Sequence, residues 1–564
     1  MQINELYDNE PITIKSYLEK CGVKDTEEYL NPTGKYIDNW REYKGLENVC
    51  QELEYWSKTD ETIFIVQDGD VDGICSTAIL YQYLIKFSNT WNIKILIHSG
   101  KQRGLDDEDV MNRIRKDYPV LVVVPDAGSN NYIQAEELCE IGIGLIVLDH
   151  HDINTPIKSG TLISNQRKDC NVSRNGSGTL VTHKLLQAMD ELYNHNWSGD
   201  YIDLVALSLL SDSMNMTEME NREYYYFGLE DILCVKNPFL KAVIDKFICQ
   251  DTYTQRDISF KIIPKFNAIT RQEDTKKKQN LMIAFCYGEN IEETLNMIEQ
   301  AHLNQIKIVD DVIQSNIDTI LSCGQNNLVI FASDDVPRSY SGLLAGKIKT
   351  LCDNKPTIVG SIKDGYMIGS LRSPIPLREE LDNNELVDWA SGHEESAGIQ
   401  IQVDNIQALV DYYNVLELSY TPHIDVLKSY SIKSIPTRLF SLFEPYNALW
   451  NNSGLPKPLF YIKNITFTPS DWSIMGKNKR TLKLHKEGID IIIFNCSKKD
   501  KEDLQLGYYD SSGVFVCEPS NNKLQMDCVG ELNVNEWNGQ KKLQIIVYTF
   551  ETKNYTNKKL GDIF

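Results

Sequence analysis

Nowhere in the sequence do apolar residues run on for the roughly eighteen positions that a membrane-spanning helix needs, so no such helix is expected. The opening stretch MQINELYDNEPITIKSYLEK lacks a basic segment followed by an apolar one, so no secretory signal is expected either. Paired cysteines are also missing. The 13 cysteines are scattered singly between Cys21 and Cys528 with no CxxC, which excludes a zinc ribbon and reads as reduced thiols, not a disulfide framework. Positive charge is in short supply: 57 basic against 80 acidic residues leave a formal charge of −23, which argues against a surface coated in base for DNA or anionic lipid. A nucleic-acid enzyme stays compatible with that balance, because a cleft can be basic locally or made positive by bound metal ions. No solenoid-spaced repeat and no long low-complexity tract occurs. What is present is an ordinary globular composition, 42% apolar and 24% charged over 564 residues, enough for about three or four domains. The expectation is a soluble, cytoplasmic, multidomain protein.

Residues 1–60 read as a helical and irregular segment with a turn at Asn31-Pro32-Thr33-Gly34. From there the texture changes to short aliphatic runs that stop at polar clusters: TIFIV at 62–66, IKILI at 93–97, VLVVV at 120–124 and GLIVL at 144–148. Runs of this kind, separated by helical material, suit parallel strands covered on both faces, which predicts an α/β domain over 61–250. Apolar residues at Leu295, Ile298, Ile306, Val309, Ile313, Ile317 and Ile320 keep a helical period with no Pro or Gly between them. They predict one long helix over 295–321, inside a linker spanning 251–322 that joins two lobes. LVIFA at 328–332 and PTIVG at 356–360 open a smaller α/β domain over 323–425. Short strand-like segments separated by turns fill 430–564, as in LFYI at 459–462 and LQIIV at 543–547, and predict a small β-barrel or sandwich.

The sharpest local feature is Asp68-Gly69-Asp70-Val71-Asp72-Gly73, directly after the first aliphatic run. Three carboxylates at alternate positions on a turn into a helix converge beyond the carboxyl end of a strand, where open α/β sheets bind ligands. A calcium loop is excluded, because Ile79 stands where such a loop needs a glutamate and a β-run precedes it. Asp126 follows the third run, Asp149-His150-His151 the fourth, and Asp212 the apolar segment 204–210; all four elements read as consecutive strand ends of one sheet. One such aspartate alone is most often a helix cap. Four in succession, with imidazole among them and no thiolate, predict a dinuclear centre for Mn²⁺ or a similar borderline ion. Such an ion pair, bridged by one carboxylate, orients water for in-line attack on phosphorus.

These phrases, DGDVDGICS, VVVPDAGS, VLDHHDIN and DLVALSLLSD, resemble the motifs of the DHH phosphoesterase superfamily, and within it the RecJ single-strand-specific exonucleases. The likeness continues through FKIIPKFNAITR at 260–271, through GSLRS at 369–373 and SGHEESAG at 391–398, similar to DHHA1-domain signatures, and through VGELNVNEWNG at 529–539, similar to the RecJ oligonucleotide-binding barrel. The resemblance implies a fold of α/β class: a parallel-sheet DHH domain and a smaller α/β DHHA1 domain joined by a long helix, plus a C-terminal OB-like β-barrel. It implies metal binding by Asp68, Asp70, Asp72, Asp126, His150 and Asp212, with Asp126 bridging two divalent ions, Mn²⁺ ahead of Mg²⁺. Asp149 and His151 would orient ligands or contact substrate, joining Asp126 and His150 as the catalytic set. Arg103, Arg271, Ser370 and Arg372 fall at phosphate-holding positions, and His393 would touch a phosphate near the scissile bond. The sequence departs from the pattern at Gly69, at Ser391 and Ser396, and around Arg103, where the usual Glu-Gly-Tyr-Gly is missing.

The function implied is a metal-dependent exonuclease that degrades single-stranded DNA from the 5′ end to 5′-mononucleotides, in repair, recombination or replication. Its partners would be the strand itself and a helicase or single-strand-binding protein, and it would act as a monomer, off the membrane. A phosphodiesterase of short oligonucleotides or cyclic dinucleotides, and a non-catalytic DNA-binding scaffold, are the rival readings. Near the C-terminus, Lys477, Lys479, Arg480, Lys483 and Lys486 beside Trp472 and His485 read as a strand-tracking groove with a stacking aromatic. Lys276, Lys277 and Lys278 read as a solvated run.

Overall fold

A computed structural model describes residues 2–8, 10–99, 103–248, 253–272, 274–416, 423–450, 454–476, 479–510, 515–537 and 540–554. The chain divides into two compact units, one of residues 36–214 and 220–420, the other of 1–35, 215–219 and 421–564. The described cysteines are free thiols, and no described helix is long and apolar enough to cross a membrane.

The larger unit begins with an all-parallel sheet of five strands: β1 (Thr62–Gln67), β2 (Asn92–Ile97), β3 (Leu121–Pro125), β4 (Gly144–Asp149) and β5 (Thr161–Ser164). Their order is β2-β1-β3-β4-β5. The interior strands β1, β3 and β4 are buried along nearly their whole length, as continuous aliphatic runs require, whereas the edge strand β2 is only half-buried. From β1 the chain turns one way to β2 and then crosses back to β3 on the other side. The carboxyl ends of β1 and β3 therefore flank the switch point at which such sheets open a crevice. Helix α1 (Val71–Phe87) leaves β1, and α2 (Gly178–Tyr193) and α3 (Ile202–Ser211) pack against it.

Two expectations are corrected in this unit. Segment 204–210 lies in helix α3, so Asp212 sits at a helix C-terminus and not at a strand end. Its side chains are buried all round, which erases the period, and its Leu- and Ala-rich composition favours the helix. The long helix is also interrupted. After α4 (Ile263–Thr270), α5 runs over Ile291–Ser315 and α6 over Ile317–Cys323, with Asn316 between them at φ −119°. The Asn316 Nδ2 donates to Val312 O at 2.9 Å, a local bond that competes with the helical ladder.

A second, mixed sheet follows in the same unit: β6 (Val329–Ala332), β7 (Thr357–Lys363), β8 (Tyr366–Arg372), β9 (Trp389–His393) and β10 (Ser396–Gln402), in the order β9-β10-β8-β7-β6. One face is apolar, with Ile358, Met367, Leu371, Ala397, Ile399 and Ile401 in one core. On the other face, helix α7 (Ser341–Leu351) covers the β6–β7 side through Leu344, Ala345 and Ile348.

In the smaller unit seven strands form a mixed sheet: β11 (Ser429–Ser431), β12 (Phe460–Phe467), β13 (Trp472–Met475), β14 (Thr481–Lys486), β15 (Ile489–Ile493), β16 (Leu524–Trp537) and β17 (Gln540–Asn554), ordered β11-β12-β16-β17-β15-β14-β13. The sequence reading sets residues 1–60 apart as one segment. In the structure 1–35 belong to this unit, where Gln2–Glu5 pairs in parallel with His423–Val426 and the Tyr17 hydroxyl donates to Pro456 O at 2.8 Å.

Candidate metal centre

Parallel register brings the acidic strand ends level with one another, since Val123 pairs with Ile65 on one side and with Ile146 on the other. Asp68 follows β1, and Asp70 caps α1 by accepting from Gly73 N at 3.1 Å. Gly73 has to be glycine, because a Cβ there would lie 2.6 Å from Asp68 O. Asp72, fully buried in the first turn of α1, accepts backbone N–H groups of Gly178 at 2.7 Å and Thr179 at 2.8 Å from the start of α2. Asp126 follows β3 in the left-handed region, φ 69°, with its N–H donated to Leu148 O at 2.7 Å. A non-glycine residue held there costs on the order of 1–3 kcal/mol, a strain that aims its carboxylate into the crevice. Gly178 closes that crevice tightly, since a Cβ on it would lie 2.3 Å from Asp126 Oδ1.

The donor atoms fall into three overlapping sets: Asp68, Asp70 and Asp126; Asp72, His150 and Asp212; and Asp126, His150 and His151. Within each set they lie no more than 4.8 Å apart. His150 Nε2 lies 3.2 Å from Asp126 Oδ1, 3.3 Å from Asp212 Oδ2 and 3.7 Å from Asp72 Oδ2. Among the described residues the buried Asp68 Oδ2 has no hydrogen-bond partner, and the buried Asp126 Oδ1 and His150 Nε2 face each other at ion-pair distance without a well-directed hydrogen bond. Burial, reinforced by Asp70, pushes the Asp68 carboxyl up to about 7. Burial and Asp212 push Asp72 up to about 6, and burial with Asp72 and Asp70 carries Asp126 well above the carboxylate range. His150 is raised against its own burial by Asp126 and Asp212. So many buried carboxylates without donors are unstable as a set of anions. A divalent cation supplies the missing partner, and the mixed oxygen and imidazole donors fit one.

Asp149 has a different environment. Burial alone would raise its pKa, but hydrogen bonds and charge from His151 hold it well below the usual range. Its Oδ1 accepts His150 N at 2.7 Å, His151 N at 3.1 Å and His151 Nδ1 at 2.8 Å, and its Oδ2 accepts Ser129 N at 2.9 Å. His151 Nε2 then accepts from Arg103 Nη1 at 2.8 Å, because a guanidinium only donates, and Arg103 Nη2 reaches to 3.9 Å from Asp70 Oδ2. The structure thus gathers Asp68, Asp70, Asp72, Asp126, Asp149, His150, His151, Asp212 and Arg103 into one cluster.

The other expected substrate residues meet on the second sheet. Ser370 and Arg372 alternate on β8, and Arg372 pairs across the sheet with Ser396, which pairs with His393. Arg271 ends α4. Burial lowers the pKa of both Arg271 and Arg372, and the charge of Arg271 lowers Arg372 further. Neither has an ion-pair partner among the described residues. Two residues missed by sequence reading complete the cradle at the start of α7. The Ser341 and Ser370 hydroxyls lie 2.9 Å apart, and a Cβ on Gly342 would come within 2.7 Å of the Arg372 guanidinium. No signal in SYSGLL marked them.

Two further readings are corrected. Lys278 is buried, not solvated, and donates to His98 O at 3.0 Å beneath the loop that carries Arg103, while His98 Nδ1 pairs with Asp107 Oδ2 at 2.9 Å. In the smaller unit Trp472 is buried against Phe467, so it offers no face to a base. Lys483 spends its charge on Asp490 at 2.6 Å, and the His485 ring Nδ1 lies 2.7 Å from the same carboxylate. Lys477 lies outside the described residues. Lys479 and Arg480 instead line a cavity of about 400 Å³ together with Lys498, Lys501, Tyr509 and Phe515.

Comparison with known proteins agrees with this architecture. Residues 62–209 match the DHH family N-terminal domain, and residues 453–549 match the RecJ OB domain. The SPbeta prophage-derived single-strand DNA-specific exonuclease YorK of Bacillus subtilis is 24% identical, with 98% of each chain covered. The single-stranded-DNA-specific exonuclease RecJ of Escherichia coli is 22% identical over 95% of each chain. The crystal structure of RecJ in complex with Mn²⁺ from Thermus thermophilus superposes with a TM-score of 0.75 at 19% identity, covering 98% of this chain and 80% of that one. The Mg²⁺ complex of the same protein gives 0.69 at 18% identity, covering 98% and 78%. Residues 62–209 thus carry a DHH family N-terminal domain and residues 453–549 a RecJ OB domain, and the chain is RecJ-like along its length.

Proposed function

We propose that this protein is a metal-dependent 5′→3′ exonuclease that hydrolyses single-stranded DNA to 5′-mononucleotides in repair, recombination or replication. The observation that carries this reading is the convergence of buried Asp68, Asp72, Asp126 and His150 ligand atoms at the switch point of the parallel sheet. Asp68, Asp70 and Asp126 would hold one divalent ion and Asp72, His150 and Asp212 a second, with Asp126 shared. Mn²⁺ suits the imidazole-containing set better than Mg²⁺ does. Bound there, such ions act as Lewis acids on phosphoryl oxygens and lower the pKa of water.

The chain's own side chains do the rest. Asp149 fixes the His151 tautomer with Nδ1–H donated, so that Nε2 holds the Arg103 guanidinium beside the carboxylates. Arg103 there meets the charge that develops on the scissile phosphate. Arg271 and Arg372, two unpaired guanidinium groups, offer planar forks to the strand's 5′-terminal phosphate, with Ser370 as a further donor. His393, in the cross-strand row of Arg372, reaches a neighbouring phosphate. The reading sets the DHH domain at 61–250, the linker at 251–322, the DHHA1-like domain at 323–425 and the OB-like domain at 430–564, whereas residues 215–219 and 421–425 group with the smaller compact unit. An enzyme restricted to unpaired strand calls for a helicase or single-strand-binding protein as supplier, and the reading is of a cytoplasmic monomer.

The test is cleavage of a long single strand and of its duplex, each labelled at the 3′ end, with and without Mn²⁺. Labelled products shortening from the 5′ end, on the single strand and with metal only, are expected. Turnover of a dinucleotide with the long strand left intact would replace this reading by a short-substrate phosphodiesterase. No turnover of either would leave a DNA-binding scaffold.

A further inference from the structure

The solvent-facing side of the mixed sheet carries a surface of which the proposed phosphate contacts use only one end. Cross-strand register sets out three rows on this face. The first is His393, Ser396 and Arg372; the second is Ser391, Gly398 and Ser370; the third is Trp389, Gln400 and Ile368. Helix α7 covers the neighbouring strands β6 to β8, its first turn reaching Ser370 and Arg372, while Trp389, Ser391 and His393 on β9 are exposed and Ser396, Gly398 and Gln400 on β10 half-buried. The result is a shallow floor of serine and glycine, with Arg372 and His393 at one end and an indole at the other. Trp389 is 38% exposed, unusual for a side chain that could have been buried on the apolar face of the same sheet. Its neighbours hold it in place. The ring lies over Gly398, where a Cβ would come within 3.3 Å of Cζ3, and its Nε1–H donates to Gln400 Oε1 at 3.3 Å. An immobilised, exposed aromatic face costs little further entropy when a planar ligand stacks on it.

We propose that Trp389 is the stacking platform of a base-binding subsite, a specificity-determining residue that seats one nucleobase of the strand whose phosphates Arg372 and Ser370 hold. Four residues of β9 and β8 separate the Trp389 row from the Arg372 row, about 13 Å at 3.3 Å per residue, so the seated base lies near the held phosphates and not at them. Stacking on an aromatic is indifferent to which base is present, as a nuclease that degrades any sequence requires. It does require that a base be present. This inference rests on the reading of the chain as a single-strand exonuclease.

The experiment uses the full chain with Mn²⁺ and 5′-phosphorylated single strands, each carrying one abasic site at a successive position from the 5′ end. The wild type is expected to show a KM about tenfold higher at one abasic position and little change at the others. In Trp389→Ala the KM for intact strand rises about tenfold, kcat stays within about twofold, and the abasic site at that position costs nothing more. Trp389→Phe keeps the platform and the positional penalty. A flat abasic profile in the wild type, which needs no variant, overturns the proposal. So does a Trp389→Ala enzyme that keeps the same positional penalty. If the wild type does not shorten single strands at all, the exonuclease reading fails; if it does and Trp389→Ala behaves like it, only the subsite fails.

Discussion

The two sheets of the larger unit present opposite electrostatic problems. At the carboxyl ends of the parallel sheet, carboxylates and an imidazole are buried together with acceptor atoms that no donor satisfies. On the mixed sheet and at the end of α4, burial lowers the proton affinity of Arg372 and Arg271, the charge of Arg271 lowers Arg372 further, and neither has an ion-pair partner among the described residues. One region lacks cations and the other lacks anions. A surplus of one sign next to a surplus of the other would normally be relieved by salt bridges. Among the arginines of the described residues only Arg103 comes within ion-pair distance of these acids, 3.9 Å from Asp70, while Arg271 feels the charge of the same carboxylate from farther off. On the proposed function the difference has one explanation, that ligand would complete both regions: metal ions on one side, phosphates of a strand on the other.

The strongest way to break this comparison is to remove the residue common to two of the metal-donor sets. Asp126→Asn is expected to lower kcat on single-stranded DNA by on the order of a thousandfold, with folding intact by circular dichroism. Activity within tenfold of wild type would dissolve the acidic side of the contrast. Next in size is the basic side. Arg372→Ala should raise KM for 5′-phosphorylated strand by about 10- to 100-fold, the range for losing a charge-assisted hydrogen-bonding pair, and should abolish any preference over a 5′-hydroxyl strand. A variant that still discriminates the two ends would place end recognition elsewhere.

A smaller effect, about 10- to 100-fold, is expected for Asp149→Ala, which leaves His151 without the partner that orders its tautomer and should weaken Mn²⁺ affinity and turnover together. The gentlest probe is pH. Asp68 and Asp72, raised to about 7 and about 6 from an unfolded value near 4, favour the protonated native state without metal, so their contribution to metal-free stability is present at low pH and is lost as pH rises through 6 to 7. Metal must displace those protons. The rise in Tm on adding Mn²⁺ should therefore shrink as pH falls from 8 to below 6. A metal-induced rise that is constant over that window would show that these carboxylates are not its cause.

Much of this was legible in the residues alone. Four aliphatic runs gave the parallel sheet, because strands buried on both faces need no alternation, and the acids that end β1, β3 and β4 followed from it. Helix α3 was harder, since a segment buried on every side loses its period, and Asp212 arrives from a different element than its spacing implied. Asn316 interrupts a periodic helix through a side-chain bond that periodicity does not register. Gly73, Gly178, Ser341 and Gly342 matter for the space they leave or the single hydroxyl they bring, and small residues advertise neither in a sequence. Lys278 and Trp472 reverse the usual preferences for exposed lysine and available indole because tertiary packing buries both.

The most direct test of the account counts ions. Equilibrium binding of Mn²⁺ at pH 8, followed by the electron paramagnetic resonance of the free ion, is expected to give two ions per wild-type chain. Asp126→Asn, which removes the carboxylate proposed to be shared between both sites, is expected to weaken the two together. One ion per chain, or two ions whose affinities are untouched by Asp126→Asn, would contradict a centre built around Asp126.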